Sequence, residues 1–133
     1  MLALGADPPD RDLHPRILFS GGVDSVAPYI KAAHVAVVPL LKGGGTRMKV
    51  LDYFAAGIPI VSTAKGVEGL EVRDGIQLLV RDDWDAFAAA VACLLREKEL
   101  TRTLGTAGRR FAEQYDWLTI AGRYVGLYTR CMH

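Results

Sequence analysis

The sequence is poor in most of the features that mark a specialised class of protein. It has two cysteines, Cys93 and Cys131, too few for a disulfide framework or a cysteine metal site. A reducing compartment is the default for such a chain, and Cys93, inside an apolar helical pattern, reads as a small core residue. Charge of one sign is lacking: 16 basic against 15 acidic residues leave a net charge of +1. That balance gives no electrostatic footprint for nucleic acid, and Arg109-Arg110 reads as the wet side of a helix. Long hydrophobic runs are lacking too. The longest, Ala86 to Leu95, is too short to cross a bilayer and reads as a buried helix. The N-terminus has no basic segment followed by an apolar core, so no signal peptide is recognised. A cytoplasmic location is expected, with peripheral contact to a membrane surface left to other parts of a larger protein. The histidines, His14, His34 and His133, are scattered, without metal-ligand spacing. No Walker sequence, no Gly-x-Gly-x-x-Gly fingerprint and no Ser-His-Asp or Cys-His pair can be found.

What the chain has is apolar content and glycine. Half of its 133 residues are hydrophobic and 14 are glycine, which places it among globular proteins, as one domain or part of one. Strand patterns occur at Leu2-Ala3-Leu4, Arg16 to Ser20, Val35 to Leu40, Ile58 to Thr63 and Ile76 to Val80. Asp24-Ser25 can cap a short helix that ends near Ala33. Asp82 or Asp83 can cap a longer helix in which Trp84, Phe87, Ala88, Val91, Leu94 and Leu95 recur at helical spacing. Further helices are predicted over Glu99 to Gln114 and Leu118 to Thr129. Short apolar strands without polar alternation, separated by helices, predict an α/β fold with a doubly wound parallel sheet covered on both faces. Leu2 to Leu4 has no partner element before it, so the chain is expected to begin partway into that fold.

In such sheets ligands sit beyond the carboxyl ends of the strands. Three glycine loops follow predicted strands there: Gly21-Gly22, Gly43-Gly44-Gly45 and the stretch 64–69. The middle one carries the most chemistry. Three bare glycines let backbone N–H groups approach a ligand, and a helix opens at Thr46 or Arg47. Amides and helix dipole then face one spot, a place for an anion such as phosphate. Arg47 and Lys49 add cations where the dipole disfavours them, which makes sense if an anion is bound. The plainer reading is a flexible turn with solvated charges. Asp52, on the same helix, can accept hydrogen bonds from a ribose diol or can pair with Lys49 at i, i+3. Any catalysis would be electrostatic stabilisation of a departing diphosphate rather than acid–base work by a dyad.

The runs Ala33 to Pro39, Gly43 to Lys49 and Leu51 to Thr63 resemble group 1 (family 4) glycosyltransferases. The likeness continues through Gly66-Val67-Glu68-Gly69-Leu70, Asp74-Gly75, the helix from Asp83 and Tyr115-Asp116-Trp117. The resemblance implies the C-terminal half of a Rossmann-like, two-domain GT-B fold, with a helical C-terminal segment, in a retaining enzyme that needs no metal ion or cofactor. Its substrate would be a nucleotide-sugar donor, a UDP- or GDP-sugar. By the match, Arg47 and Lys49 neutralise the leaving diphosphate. Gly43, Gly44, Gly45 and Thr46 cradle it, and Asp52 holds the ribose where the family usually has glutamate. Gly22 and Val23 lie near the base, and Gly66 and Val67 flank the phosphate or sugar. The family's usual first carboxylate, eight residues before Asp52, would fall at Gly44 and is missing. The resemblance also implies that the N-terminal acceptor domain is absent from residues 1–133, so the chain alone is expected to be almost inactive. Two alternatives remain: a non-catalytic nucleotide-sugar-binding module or subunit that needs a separate acceptor-binding chain, and a related GT-B epimerase. The last helix either braces another domain, as often in the family, or packs on its own sheet.

Overall fold

The computed structural model describes residues 1–3, 14–45 and 47–131. The chain divides into two compact units, Met1–Ala32 and Ala33–His133. In the first unit, β1 (Leu2–Ala3) pairs in parallel with β2 (Leu18–Phe19), Leu2 opposite Leu18 and Ala3 opposite Phe19. The N-terminal ammonium donates to the Arg16 carbonyl at 2.7 Å. Helix α1 (Ala27–Ala32) follows, with Ile30 buried. It opens after Val26, whose carbonyl accepts from the Ile30 N–H, and so starts later than an Asp24-Ser25 cap would place it. Residues 4–13, with Leu4 of the expected first strand, lie outside the described residues.

The second unit is built on a three-stranded parallel sheet of order β3-β4-β5. Strand β3 is Ala36–Val38, β4 is Ile60–Ser62 and β5 is Leu79–Val80. Ala36 lies opposite Ile60, Val37 opposite Val61, and Val61 opposite Leu79. Side chains alternate across a strand, so this register sorts the apolar residues onto two faces. Ala36, Val38, Ile60 and Leu78 join one core with Val50, Phe54 and Phe111. Val61 and Leu79 join another with Phe87, Ala90, Leu94 and Leu104. Both faces are therefore covered, which is why the strands lack polar alternation. The predicted strand at Ile76 to Val80 shortens to Leu79–Val80, because Ile76 and Gln77 belong to a turn closed by Gly75 N–H donating to the Leu78 carbonyl at 2.8 Å.

Helix α2 (Met48–Ala55) returns from β3 toward the start of β4. It stops where Ile58 N–H donates to Tyr53 and Gly57 N–H to Phe54, with Gly57 at φ +72°, the double bond of a Schellman ending. Helix α3 (Trp84–Arg96) is capped by Asp83, whose Oδ1 accepts from the Ala86 N–H at 2.9 Å. The expectation of a buried helix over Ala86 to Leu95 is corrected. Phe87, Ala90 and Leu94 are buried, but Ala88, Trp84 and Leu95 are exposed, because this helix covers one outer face of the sheet and its far side meets water. Cys93 is half-buried.

Helix α4 (Lys98–Glu113) runs close along α2. Phe54 and Phe111 meet edge-on, ring centroids 5.6 Å apart. Burying a side chain such as Phe54 contributes about 1.5–3 kcal/mol. The approach depends on two small residues. A Cβ at Gly105 would collide with the Gly57 carbonyl oxygen, and one at Gly108 with the Phe54 ring. Helix α5 (Trp117–Cys131) buries none of its residues. Its apolar side chains, Trp117 at 78% exposure among them, stay uncovered, so ordinary packing on the sheet does not describe it.

Two outcomes follow from this packing. Gly105→Ala is expected to lower the unfolding free energy by about 1–3 kcal/mol, since the opposing atom is backbone and cannot rotate away; denaturant titration measures it. Asp74 accepts from the Val80 N–H at 2.8 Å and pairs with Arg81 at 3.0 Å. Partial burial works to raise its carboxyl, but these bonds outweigh it and hold the group below the usual carboxylate range. A lowered folded pKa adds stability above the unfolded pKa and loses it as pH falls through the folded one. Asp74→Asn should therefore cost a few tenths of a kcal/mol, roughly, at pH 7 and flatten the acid side of the stability profile.

Candidate functional site

Parallel pairing sends β3 and β4 out of the sheet on the same side, so the segments after Val38 and after Ser62 share one rim. Buried polar residues tie them together. Thr63 Oγ1 donates to the Leu40 carbonyl and accepts from the Gly66 N–H at 3.1 Å. Thr63 N–H donates to the Val38 carbonyl at 3.2 Å. Ser62 Oγ donates to the Thr63 carbonyl at 2.8 Å. The second loop is thereby pulled under the end of β3. A 3-10 turn, Lys65–Val67, follows, with Gly66 and Val67 buried. A Cβ at Gly66 would overlap Ser62 Oγ and lie 2.9 Å from the Val38 carbonyl oxygen, so only glycine fits.

On the other side of the rim, Gly43 and Gly45 hold φ of +117° and +101°, a region L side chains rarely enter. The triple glycine is thus a defined bend in which at least these two positions call for glycine. Gly43, Gly44 and Gly45 are all exposed. Thr46 lies outside the described residues. Arg47 occupies the N-cap of α2 and makes no side-chain cap, and the first turn holds no acidic residue. The helix therefore opens at Met48, one position after Arg47 and two after Thr46, the expected starts.

Arg47 is the unusual residue. It is only 8% exposed, although arginine almost never buries without full pairing. Its Nη2 reaches Glu68 Oε2 at a long 3.5 Å, and its buried Nε has no hydrogen-bond partner among the described residues. Lys65 Nζ contacts the same Glu68 oxygen at 2.5 Å. A hydrogen bond and charge from Lys65, with a smaller contribution from Arg47, hold the Glu68 carboxyl below the usual range. Two cations from two loops thus converge on one acidic oxygen.

The other expected residues sort unevenly. Lys49 and Asp52 are exposed, and among the described residues they form no ion pair with each other, which removes the plain salt-bridge reading. Tyr53, beside Asp52, has its hydroxyl pKa raised, first by burial and then by the Asp52 charge. Gly22 and Val23 follow β2 in the first unit, exposed and half-buried respectively. Lys65 and Glu68 were not singled out from the sequence. Their i, i+3 spacing in a glycine loop was the available signal. Among the described residues no three His, Cys, Asp or Glu side chains gather into a group. Two shallow surface depressions lie on α5 and α4 rather than at this rim.

The model of the group 1 glycosyl transferases matches residues 4–97, more than half of the chain. The chain belongs to that family. It is 36% identical over 110 residues to a D-inositol 3-phosphate glycosyltransferase of Geodermatophilus obscurus, covering 80% of this chain and 23% of that protein. It is 29% identical over 116 residues to a phosphatidyl-myo-inositol mannosyltransferase of Mycobacterium leprae, covering 84% of this chain and 31% of the relative. The chain therefore spans only a quarter to a third of the length of these relatives. Among solved structures, a sucrose-phosphate synthase from Thermosynechococcus elongatus superposes with a TM-score of 0.79 at 26% identity, over 98% of this chain and 38% of that one. The chain has the Rossmann-like α/β fold expected of a GT-B half. Among the described residues no helix is long and apolar enough to cross a membrane.

Burying an incompletely paired guanidinium costs stability, and an apolar replacement of similar length removes that cost. Arg47→Met is expected to leave the thermal midpoint unchanged or raise it, which thermal melts of the two proteins check.

Proposed function

We propose that residues 33–131 form the donor-binding part of a larger retaining glycosyltransferase, and that the Arg47 rim receives the diphosphate of a UDP- or GDP-sugar. The observation that carries the reading is the buried Arg47 with its unpaired Nε, at the N-cap of a helix whose first turn holds no acid. Buried cations persist where an anion completes them. The family membership supports glycosyl transfer, and the sheet's carboxyl rim is where α/β folds hold nucleotides.

In the proposed reaction the bond between the anomeric carbon and the diphosphate oxygen breaks. Its electron pair goes to the diphosphate, and the sugar passes to an acceptor hydroxyl with retention. Arg47 and Lys49 would offset the charge growing on the leaving group, a preorganised electrostatic role that needs no metal ion. The amides of Gly43, Gly44, Gly45 and Thr46 would line the phosphate side, with Gly66 and Val67 flanking it. Asp52 would hold the ribose hydroxyls. No carboxylate stands at Gly44 to touch the donor sugar, so contacts to that sugar would come from elsewhere. The acceptor wall would be another domain of the same protein or a separate chain, and the exposed face of α5 would offer it a brace. A cytoplasmic enzyme that works at a membrane surface through its other parts agrees with this reading.

Titration of the chain with UDP and GDP tests the proposal. One of them should bind, with Arg47→Gln and Lys49→Gln each weakening it about tenfold and Asp52→Asn weakening it more for the nucleotide than for pyrophosphate. Failure of every nucleoside diphosphate to bind, here and in a full-length relative carrying the same loop, would overturn it. The 133-residue chain should show almost no sugar transfer by itself.

A further inference from the structure

The donor reading leaves Glu68 unexplained: a carboxylate placed against the very arginine proposed to meet a phosphate. Glu68 is 58% exposed along its side chain, so burial does not drive it there. Surface ion pairs of this kind add little to stability and are weak reasons for a geometry. What the position does supply is a negative oxygen shared by Arg47 Nη2 and Lys65 Nζ. Arg47 is held by burial, whereas Glu68 sits in an exposed turn between the 3-10 turn and Gly69 and can leave. The Arg47 contact is long and leaves Nε unpaired, so one carboxylate satisfies the guanidinium poorly. A phosphate, with more oxygens and more charge, would satisfy it better.

We infer that Glu68 is an internal counter-anion that occupies the phosphate position of the free protein, and that Lys65 is the second cation a phosphate meets once Glu68 is displaced. This rests on the donor reading for the identity of the ligand but not for the displacement itself. The contact acts as a weak autoinhibitory latch. It screens Arg47 and Lys65 from each other in the free state and admits only ligands with enough charge to replace a carboxylate.

Inorganic pyrophosphate is the probe, titrated into the full chain and its variants by calorimetry. Glu68→Gln should bind pyrophosphate about tenfold tighter than the unaltered chain, because the competing charge is gone and the exposed side chain leaves the fold intact. Lys65→Gln should bind it about tenfold more weakly. A second reading uses the unaltered protein: the carboxyl carbon resonance of Glu68 should move on saturation with pyrophosphate toward that of a solvated glutamate. Equal or weaker binding by Glu68→Gln, an unmoved Glu68 resonance in a pyrophosphate-bound chain, or no pyrophosphate binding by either form would each overturn the inference. The two proposals fail differently. If UDP or GDP binds through Arg47 but ignores Glu68, the latch is wrong and the donor site stands. If pyrophosphate responds to Glu68 and no nucleotide binds better than pyrophosphate, the latch stands and the donor reading falls.

Discussion

The parallel pairing of β3 with β4 is the constraint from which the rest of the second unit follows. Val38 opposite Ser62 fixes where both strands end, and so fixes that two loops far apart in sequence leave the sheet side by side. Thr63 then bonds into both loops at once. A slip of one residue would turn Ile60 and Val61 to the wrong faces, exposing one core to the other's helix, so the register is strongly held. Helix α2 is pinned in turn by α4, where Gly105 and Gly108 let the two backbones come close. Arg47 can be placed with little freedom because the helix it opens is packed on two sides.

That rigidity lets the protein hold a charge at a cost. A buried guanidinium with one long ion pair and an unpaired Nε is not a stabilising feature. The core around Val50, Phe54, Ile60 and Leu78 supplies the stability that keeps it in place. A well-packed sheet thus holds a poorly paired cation at its rim. The incomplete pairing is centred on Arg47, whereas Lys49 and Asp52 stand in solvent.

Much of this could be read before the fold was known. The runs at Val35 and Ile58 carry no polar alternation, and the two-sided core explains that. Asp83 caps α3 as its position before an apolar helix suggests, because an N-cap is a local interaction of a few residues. Errors came where local pattern meets tertiary context. Ala88 and Leu95 fit a helical stripe yet face water, since the stripe's width depends on how much sheet lies beneath it. Ile76 and Gln77 have strand-like neighbours but turn instead, because Asp74 and Gly75 bond forward to Val80 and Leu78.

Legible in the residues alone were the parallel α/β class, the glycine bend ahead of a basic helix start, and a pattern shared with the group 1 glycosyl transferases. Those are properties of short windows, where hydrophobic period, glycine and capping act over a few residues. Which cations meet one another is settled by how the second unit packs. Arg47 and Lys65 are distant along the chain, and their meeting at Glu68 depends on strand register and on a loop drawn under β3 by Thr63. Long-range contact of that kind is set by packing, so no window of residues contains it.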